Sequence, residues 1–202
     1  METKRVRVIG AGLAGSEAAL QLASFGFDVD LYEMRPEKPT PAHRGGALAQ
    51  LVCSNSFKGL ALTSAHGLLK NELNMLGSFL LKAAERTAVP AGESLTVNRD
   101  LFSEEVERLI LACPNITLHR EEVKTLEGEF PTIVAAGPLA SDTLADDIFK
   151  RLGSERLHFF DAIAPVVETE SIDFEHAFYK NRWEKGETED FINCPLDKET
   201  YD

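Results

Sequence analysis

Arg5-Val6-Arg7-Val8-Ile9-Gly10-Ala11-Gly12-Leu13-Ala14-Gly15 is the stretch that decides the fold. A short apolar run enters a glycine-rich turn and leaves through an alanine-rich stretch of helical character. A second apolar run, Val29 to Tyr32, ends on Glu33, 18 residues past Gly15. Strand, glycine turn, helix and second strand with an acidic end make up the dinucleotide-binding fingerprint. Gly10 permits the tight turn, Gly12 lets backbone approach a pyrophosphate, and Gly15 lets helix and strand pack closely. The whole turn, Gly10, Ala11, Gly12, Leu13, Ala14 and Gly15, is therefore the candidate cofactor cradle, with the pyrophosphate on the free N–H groups of the helix N-terminus. Glu33 is placed to accept hydrogen bonds from a ribose. Its charge would repel a 2′-phosphate, which favours the adenosine of FAD or NAD over that of NADP. The fingerprint alone leaves FAD and NAD both open. Ala14, Ala18, Leu22 and Phe25 share one side of the following helix and predict its apolar face, with Gly26 placed to stop it.

The chain has 202 residues, enough for one domain, or one plus part of another. Hydrophobic content of 44% with 27% charged residues is that of an ordinary globular protein. No apolar run approaches a membrane span, since Leu60 to Leu69 is broken by Thr63, Ser64, His66 and Gly67. The first strand begins too early to leave room for a signal peptide. Three cysteines, Cys53, Cys113 and Cys194, form no disulfide framework and suit a reducing cytoplasm. No metal site is expected. The formal charge of −12 argues against a nucleic-acid surface, although an acidic stretch from Glu184 to Asp202 contributes to it and leaves room for a basic patch elsewhere.

Beyond Glu33, residues 34–46 hold three prolines and two adjacent glycines, which predicts an irregular binding loop. Arg35 is a candidate ribose or phosphate contact and His43 or Arg44 a candidate ligand contact. Solvated surface is the alternative for each. Leu48 to Val52 brings Cys53 to a Ser54-Asn55-Ser56 cluster suited to turns and caps. By local chemistry Cys53 is either a reactive thiol or, the favoured reading at this point, inert buried packing. His66 to Arg86 predicts one helix packed through Leu69, Leu73, Leu76, Leu80 and Ala84, and Leu95 to Val97 a strand. Asp100 or Ser103 is expected to cap a helix running through Ala112, with Cys113 in the core. Ile116 to Arg120 predicts a strand, and Val123 to Leu126 a segment that pairs with another strand. Thr132 to Ala136 predicts a strand that leaves through Gly137-Pro138. That turn falls where ligands sit in open α/β sheets, so Gly137 joins the candidate cofactor contacts. Ser141 is expected to cap a helix ending at Gly153. After Leu157 come acidic loops and an aromatic cluster of Phe174, Phe178, Tyr179 and Trp183, and the last residues show no terminal element. Alternating strands and helices predict a doubly wound, Rossmann-like α/β domain.

Several stretches together resemble the folate- and FAD-dependent tRNA (uracil-5-)-methyltransferases, the TrmFO family. They are Val8 to Ala19, Tyr32-Glu33-Met34-Arg35-Pro36, Thr40-Pro41-Ala42-His43, Leu51-Val52-Cys53-Ser54-Asn55-Ser56, Ala136-Gly137-Pro138-Leu139, Phe160-Asp161-Ala162-Ile163-Ala164-Pro165 and Ile192-Asn193-Cys194-Pro195. The glycine fingerprint is common to many flavoproteins, whereas Cys-Ser-Asn-Ser and Asp-Ala-Ile-Ala-Pro are more particular. Some positions depart from the family pattern, among them Arg44 to Ala47, Asn98 and Ala136.

The resemblance implies a glutathione-reductase-like FAD-binding domain over residues 1–165, incomplete, followed by the start of an insertion domain over 166–202. It implies C5-methylation of the T-loop uridine of tRNA, with 5,10-methylenetetrahydrofolate as carbon donor, FAD as cofactor and NADPH or NADH as reductant. It also implies that Cys53 is a catalytic residue, acting on the uracil as a thiol or in acid–base chemistry. A second family cysteine lies in a segment this chain does not contain, and Cys194 is not that residue. On this reading the chain is the N-terminal part of a longer protein whose tRNA-binding surface lies elsewhere. Alone it is expected to bind FAD weakly at best and not to methylate. An FAD-linked oxidoreductase without an RNA substrate, and a non-catalytic nucleotide-binding module, are the competing classes.

Overall fold

Val6 and Val8 of β1 (Arg5–Ile9) pair in parallel with Val29 and Leu31 of β2 (Asp28–Tyr32). β2 pairs in turn with β6 (Ile116–His119), and β1 with β7 (Thr132–Val134), so the parallel sheet runs β6-β2-β1-β7. The structure, a computed structural model, describes residues 4–152, 167–180 and 191–201. Taken in chain order, these four strands stand third, second, first and fourth, the order of a dinucleotide-binding sheet with its switch point between β1 and β7. The expected α/β architecture is the one observed.

The two faces of the sheet differ in character. Val8, Val29 and Leu31 point into one core with Ala19, Leu20 and Ala23 of α1 (Leu13–Ser24) and with Phe102, Val106 and Ile110 of α4 (Arg99–Leu111). The opposite face is polar. Tyr32 stacks on His119 with ring centroids 4.6 Å apart, and His119 Nε2 lies 3.1 Å from Asp30 Oδ1. The Arg7 guanidinium lies over Tyr32 at 5.6 Å and donates to the Glu127 carbonyl.

The α1 face differs from the one read in the sequence. Gly15, Ser16, Ala19, Leu20 and Ala23 are buried, while Ala14 and Phe25 are exposed and Ala18 and Leu22 are half-buried. The glycine turn fixes how the helix meets the sheet, and the small residues Gly15, Ser16 and Ala19 permit the closest approach.

The single helix expected from His66 to Arg86 is two, α2 (Ala65–Met75) and α3 (Phe79–Arg86). They break at Gly77, which sits at φ +80°, a conformation that favours glycine. Leu69, Leu73 and Leu76 are correspondingly exposed rather than packed, whereas Leu80 and Ala84 lie in the core. Ser78 caps α3 by accepting from Leu81 N. α3 has a second cap supplied from outside. The Glu17 carboxylate of α1 accepts from Phe79 N at 3.1 Å, Leu80 N at 2.8 Å and the Ser78 hydroxyl at 3.0 Å.

Asn98, not Asp100 or Ser103, caps α4, its Oδ1 accepting from the N–H groups of Asp100 and Leu101. A second sheet was not read in the sequence: β3 (Ser56–Gly59), β5 (Ser94–Val97) and β4 (Ala88–Val89) lie antiparallel in the order β3-β5-β4. Val123 to Leu126 forms no strand; Leu126 N donates to Asp147 Oδ2 of α5 (Asp142–Leu152) instead. Ser141 does cap α5, its Oγ accepting from Leu144 N at 3.3 Å. The expected end of that helix at Gly153 lies outside the described residues, as do Phe160 to Pro165, Trp183 and the division at 165/166. Farther on, β8 (Phe178–Tyr179) pairs with β9 (Ile192–Asn193), and Phe174 stacks on Tyr179. The chain closes on a short helix, α6 (Lys198–Tyr201), where no terminal element was expected.

Glu17 supplies three acceptor contacts to one helix end, and removing it strands N–H groups in part-buried surroundings. Glu17→Ala is expected to lower the unfolding free energy by about 1–3 kcal/mol in urea titration. A change within about 0.5 kcal/mol, the range of ordinary surface substitutions, would mean that α3 does not depend on this cap.

Candidate functional site

Gly10 ends β1 at φ +97°, and a Cβ there would meet the Ala135 carbonyl oxygen at 2.6 Å. A Cβ on Gly15 would fall 1.7 Å from the Gly10 carbonyl oxygen. These two glycines bring the start of α1 against the ends of β1 and β7. Gly12 is different: nothing lies within 4 Å of where its Cβ would be, so its surface is open to an approaching group. Gly12 is the N-cap of α1 and has no side chain to occupy the first-turn N–H groups.

A cavity of about 290 Å³ opens at this point, between the ends of β1 and β7. Gly10, Gly12, Leu13 and Ala14 form its floor, Ala135 to Ala140 one wall, and Glu33, Arg35, Thr40 and His43 the other, with Glu122 and Val123 also lining it. Its volume is at the lower edge of the roughly 300–1,000 Å³ usual for small-molecule sites. That suits the nucleotide half of a dinucleotide.

Glu33 is 5% exposed. Its Oε2 accepts from Ala11 N at 3.2 Å, and its Oε1 from Arg35 N at 3.0 Å and Arg35 Nε at 2.8 Å. Burial works against the charged carboxylate. The hydrogen bonds from the Arg35 side chain and backbone, the charge of Arg35 and the Ala11 N–H outweigh it, holding the carboxyl below its ordinary value. Arg35 is equally enclosed, and its Nη1 has no hydrogen-bond partner.

Most of the residues chosen from the sequence meet here: Gly10, Gly12, Leu13, Ala14, Glu33, Arg35 and Gly137 all line the cavity. Ala11 and Gly15 do not. Ala11 is fully buried with its N–H engaged by Glu33, and Gly15 packs against Gly10. His43 lines the cavity with its Nδ1 2.7 Å from Thr40 Oγ1, while Arg44 is exposed and its main chain pairs with the Gln50 side chain. Cys53 is exposed, which overturns the local reading of an inert buried thiol, and it lies off the cavity beside Val52, which lines it. Asn55 pins the stretch after Cys53 to β5: its Nδ2 donates to the Val97 carbonyl, and its own carbonyl accepts from Val97 N. Cys113 packs against the core, as expected, and Cys194 is exposed.

Residues 120–122 hold the loop over residues 34–46, by contacts missed in the sequence. Arg120 donates to the Gly46 carbonyl, to Arg35 O at 3.2 Å and to Glu107 at 2.7 Å. Lys38 pairs at 2.6 Å with Glu122, which lines the cavity. Partners more than seventy residues apart leave no local signature. Among the described residues, no group of three or more His, Cys, Asp or Glu side chains is arranged to hold a metal ion. No helix among them is long and apolar enough to cross a membrane.

The family model described as "Glucose inhibited division protein A" matches residues 5–202. A protein of Lactobacillus helveticus named methylenetetrahydrofolate–tRNA-(uracil-5-)-methyltransferase TrmFO is 51% identical over 98% of this chain and 49% of its own length. The protein of that name from Aquifex aeolicus is 52% identical over 98% of this chain and 44% of its own. The chain thus spans about half the length of these relatives. Among solved structures, Aquifex aeolicus GidA superposes with a TM-score of 0.50 at 21% identity, over 63% of this chain and 21% of that one, a likeness of fold.

Two outcomes follow from this geometry. Gly15→Ala places a Cβ against backbone that cannot yield, so it is expected to cost at least about 3 kcal/mol of stability, the upper part of the overpacking range; a normally stable Gly15→Ala chain would refute the close approach. The second concerns acid. The folded-state value of Glu33 lies below the unfolded one, so its stabilisation is complete above the ordinary carboxylate value and lost as pH falls through the lowered one. The stability gap between the natural chain and Glu33→Gln should therefore narrow on acidification, and a gap independent of pH would contradict it.

Proposed function

This chain belongs to the glucose inhibited division protein A family, and from that premise we propose that it is the FAD-binding part of a folate-dependent tRNA (uracil-5-)-methyltransferase. The observation that carries the reading is the cavity at the β1/β7 switch point, where a carboxylate held in its charged form sits beside a glycine turn open at Gly12. Its residues fit the adenosine and pyrophosphate half of FAD. Gly12, Leu13 and Ala14 offer main-chain N–H groups to the pyrophosphate, Glu33 and Arg35 meet the ribose, and Gly137 lies along the opposite wall. When bound, the flavin supplies the redox and one-carbon transfer chemistry.

On this reading Cys53 is a catalytic residue, acting on the uracil as a thiol or in acid–base chemistry. Its exposure lets it reach a base presented from outside, and Asn55 holds the following residues in place. C5 of uracil is a weak nucleophile until a thiolate adds at C6, which raises electron density at C5; loss of the C5 proton and departure of the thiolate then restore the ring. The carbon comes from 5,10-methylenetetrahydrofolate and the reducing equivalents from NADPH or NADH. The product is a 5-methylated T-loop uridine, and the enzyme works in the cytoplasm, where tRNA is found. We divide the chain into the N-terminal portion of the FAD domain, residues 1–165, and the start of an insertion domain, residues 166–202. With a net charge of −12 here, the basic surface for tRNA phosphates belongs to the other half of the relatives' length.

In the full-length enzyme, Cys53→Ala is expected to retain FAD and lose T-loop methylation, by at least about a hundredfold, the usual weight of one reacting group. Methylation assayed with radiolabelled folate alongside the flavin absorbance of the purified variant distinguishes the outcomes. Full activity without Cys53 would end the assignment, and loss of flavin from it would make the residue structural.

A further inference from the structure

A surface helix normally turns its apolar stripe to the core, and α2 does the reverse. Leu68, Leu69, Leu73 and Met75 are exposed, as is Leu76 at its C-cap, the last two at 81% and 77%. The residues α2 buries are Gly67 and Lys70. Two contacts fix the helix in this rotation. A Cβ on Gly67 would fall 2.1 Å from the Ala61 carbonyl oxygen, so glycine is what lets the first turn lie against that loop. The Lys70 ammonium donates to the Phe57 carbonyl of β3 at 2.7 Å and to the His66 carbonyl at 2.8 Å. Turning the leucines inward would break both contacts and withdraw a buried cation from its acceptors, which is costly.

Large apolar side chains gathered on one short helix mark a surface that another surface covers. Length and charge narrow the choice of occupant. The relatives run to about twice the length that this chain matches, so a comparable length of protein lies outside it. A second copy fits poorly. By helical spacing Glu72 neighbours Leu68, Leu69 and Leu76, so two copies meeting on this face would bury like charges. Each copy also carries a net charge of −12, which sets it against its twin and against an anionic membrane. We propose that the outward face of α2 is the seat of an apolar segment from the half of the relatives' length that this chain does not span, with a basic side chain opposite Glu72. β3, which Lys70 grips, follows directly on Cys53-Ser54-Asn55, so docking on α2 is tied through one strand to the run that carries Cys53. This rests on the reading of the chain as one part of a longer methyltransferase.

The test places a thiol on the face, as Leu69→Cys and separately Leu76→Cys, in the 202-residue chain and in the full-length protein. Alkylation by N-ethylmaleimide is followed at the new cysteine by peptide mass. Both thiols should react at least about tenfold more slowly in the full-length protein, where reaction waits on local opening. Glu104→Cys, on the exposed side of α4, should react alike in the two. Where a variant fails to fold by circular dichroism, amide exchange of residues 65–75 in the unsubstituted proteins makes the same comparison. Equal reactivity in both lengths overturns the proposal, and T-loop methylation by the full-length protein then leaves the methyltransferase reading standing. Slow reaction already in the 202-residue chain overturns it too, with a doubled mass in light scattering assigning the face to a second copy. A natural protein that ends at Asp202 refutes this inference and the reading beneath it together.

Discussion

The Glu33 carboxylate ties together the parts on which everything else depends. It lies at the end of β2, receives the main-chain N–H of Ala11 from the glycine turn, and receives both the backbone and the side chain of Arg35 from the loop beyond. Three segments that are separate in sequence are thereby fixed around one buried charge. Such a charge is tolerable only because every donor around it is in place; removing one member of a buried pair is far more damaging than never having the pair. The residue that positions the turn also lines the cavity, so on the proposed reading its structural and ligand-binding roles are not separable.

The close contact of Gly15 with Gly10 does comparable work on the other side of the turn. It sets α1 against β1 and β7 and turns the free helix N-terminus towards the cavity. From α1 the constraint passes through Glu17 to the start of α3, and so into the helices that cover one face of the sheet. Among the described residues, the opposite face, with Arg7, Tyr32, Asp30 and His119, is polar and its side chains are half-buried.

What the sequence made legible is what local chemistry encodes. The fingerprint glycines, Glu33 and the Gly137 turn are close to the elements they belong to, and the parallel sheet followed from strand and helix alternation. Three features were out of reach for physical reasons. The break at Gly77 was hidden because Leu69, Leu73 and Leu76 keep helical spacing with Leu80 and Ala84, although they face solvent on α2 and at its C-cap. The antiparallel sheet rests on strands of two to four residues, too short for an alternating pattern to register. The grip of Arg120 and Glu122 on the loop over residues 34–46 joins residues far apart in the chain, and only the folded chain brings them together. Cys53 shows the opposite case: local chemistry favoured a buried thiol, and the resemblance of its flanking residues, not their composition, pointed to chemistry.

We propose that the crevice between β1 and β7 holds the adenosine half of FAD. Amide hydrogen exchange of the chain with and without saturating FAD tests it most directly. Slowed exchange at residues 12–15, 33–35, 122–123 and 135–139, with little change at β8 and β9, is the expected result. No protection at the glycine turn, or protection centred on another part of the molecule, would contradict it.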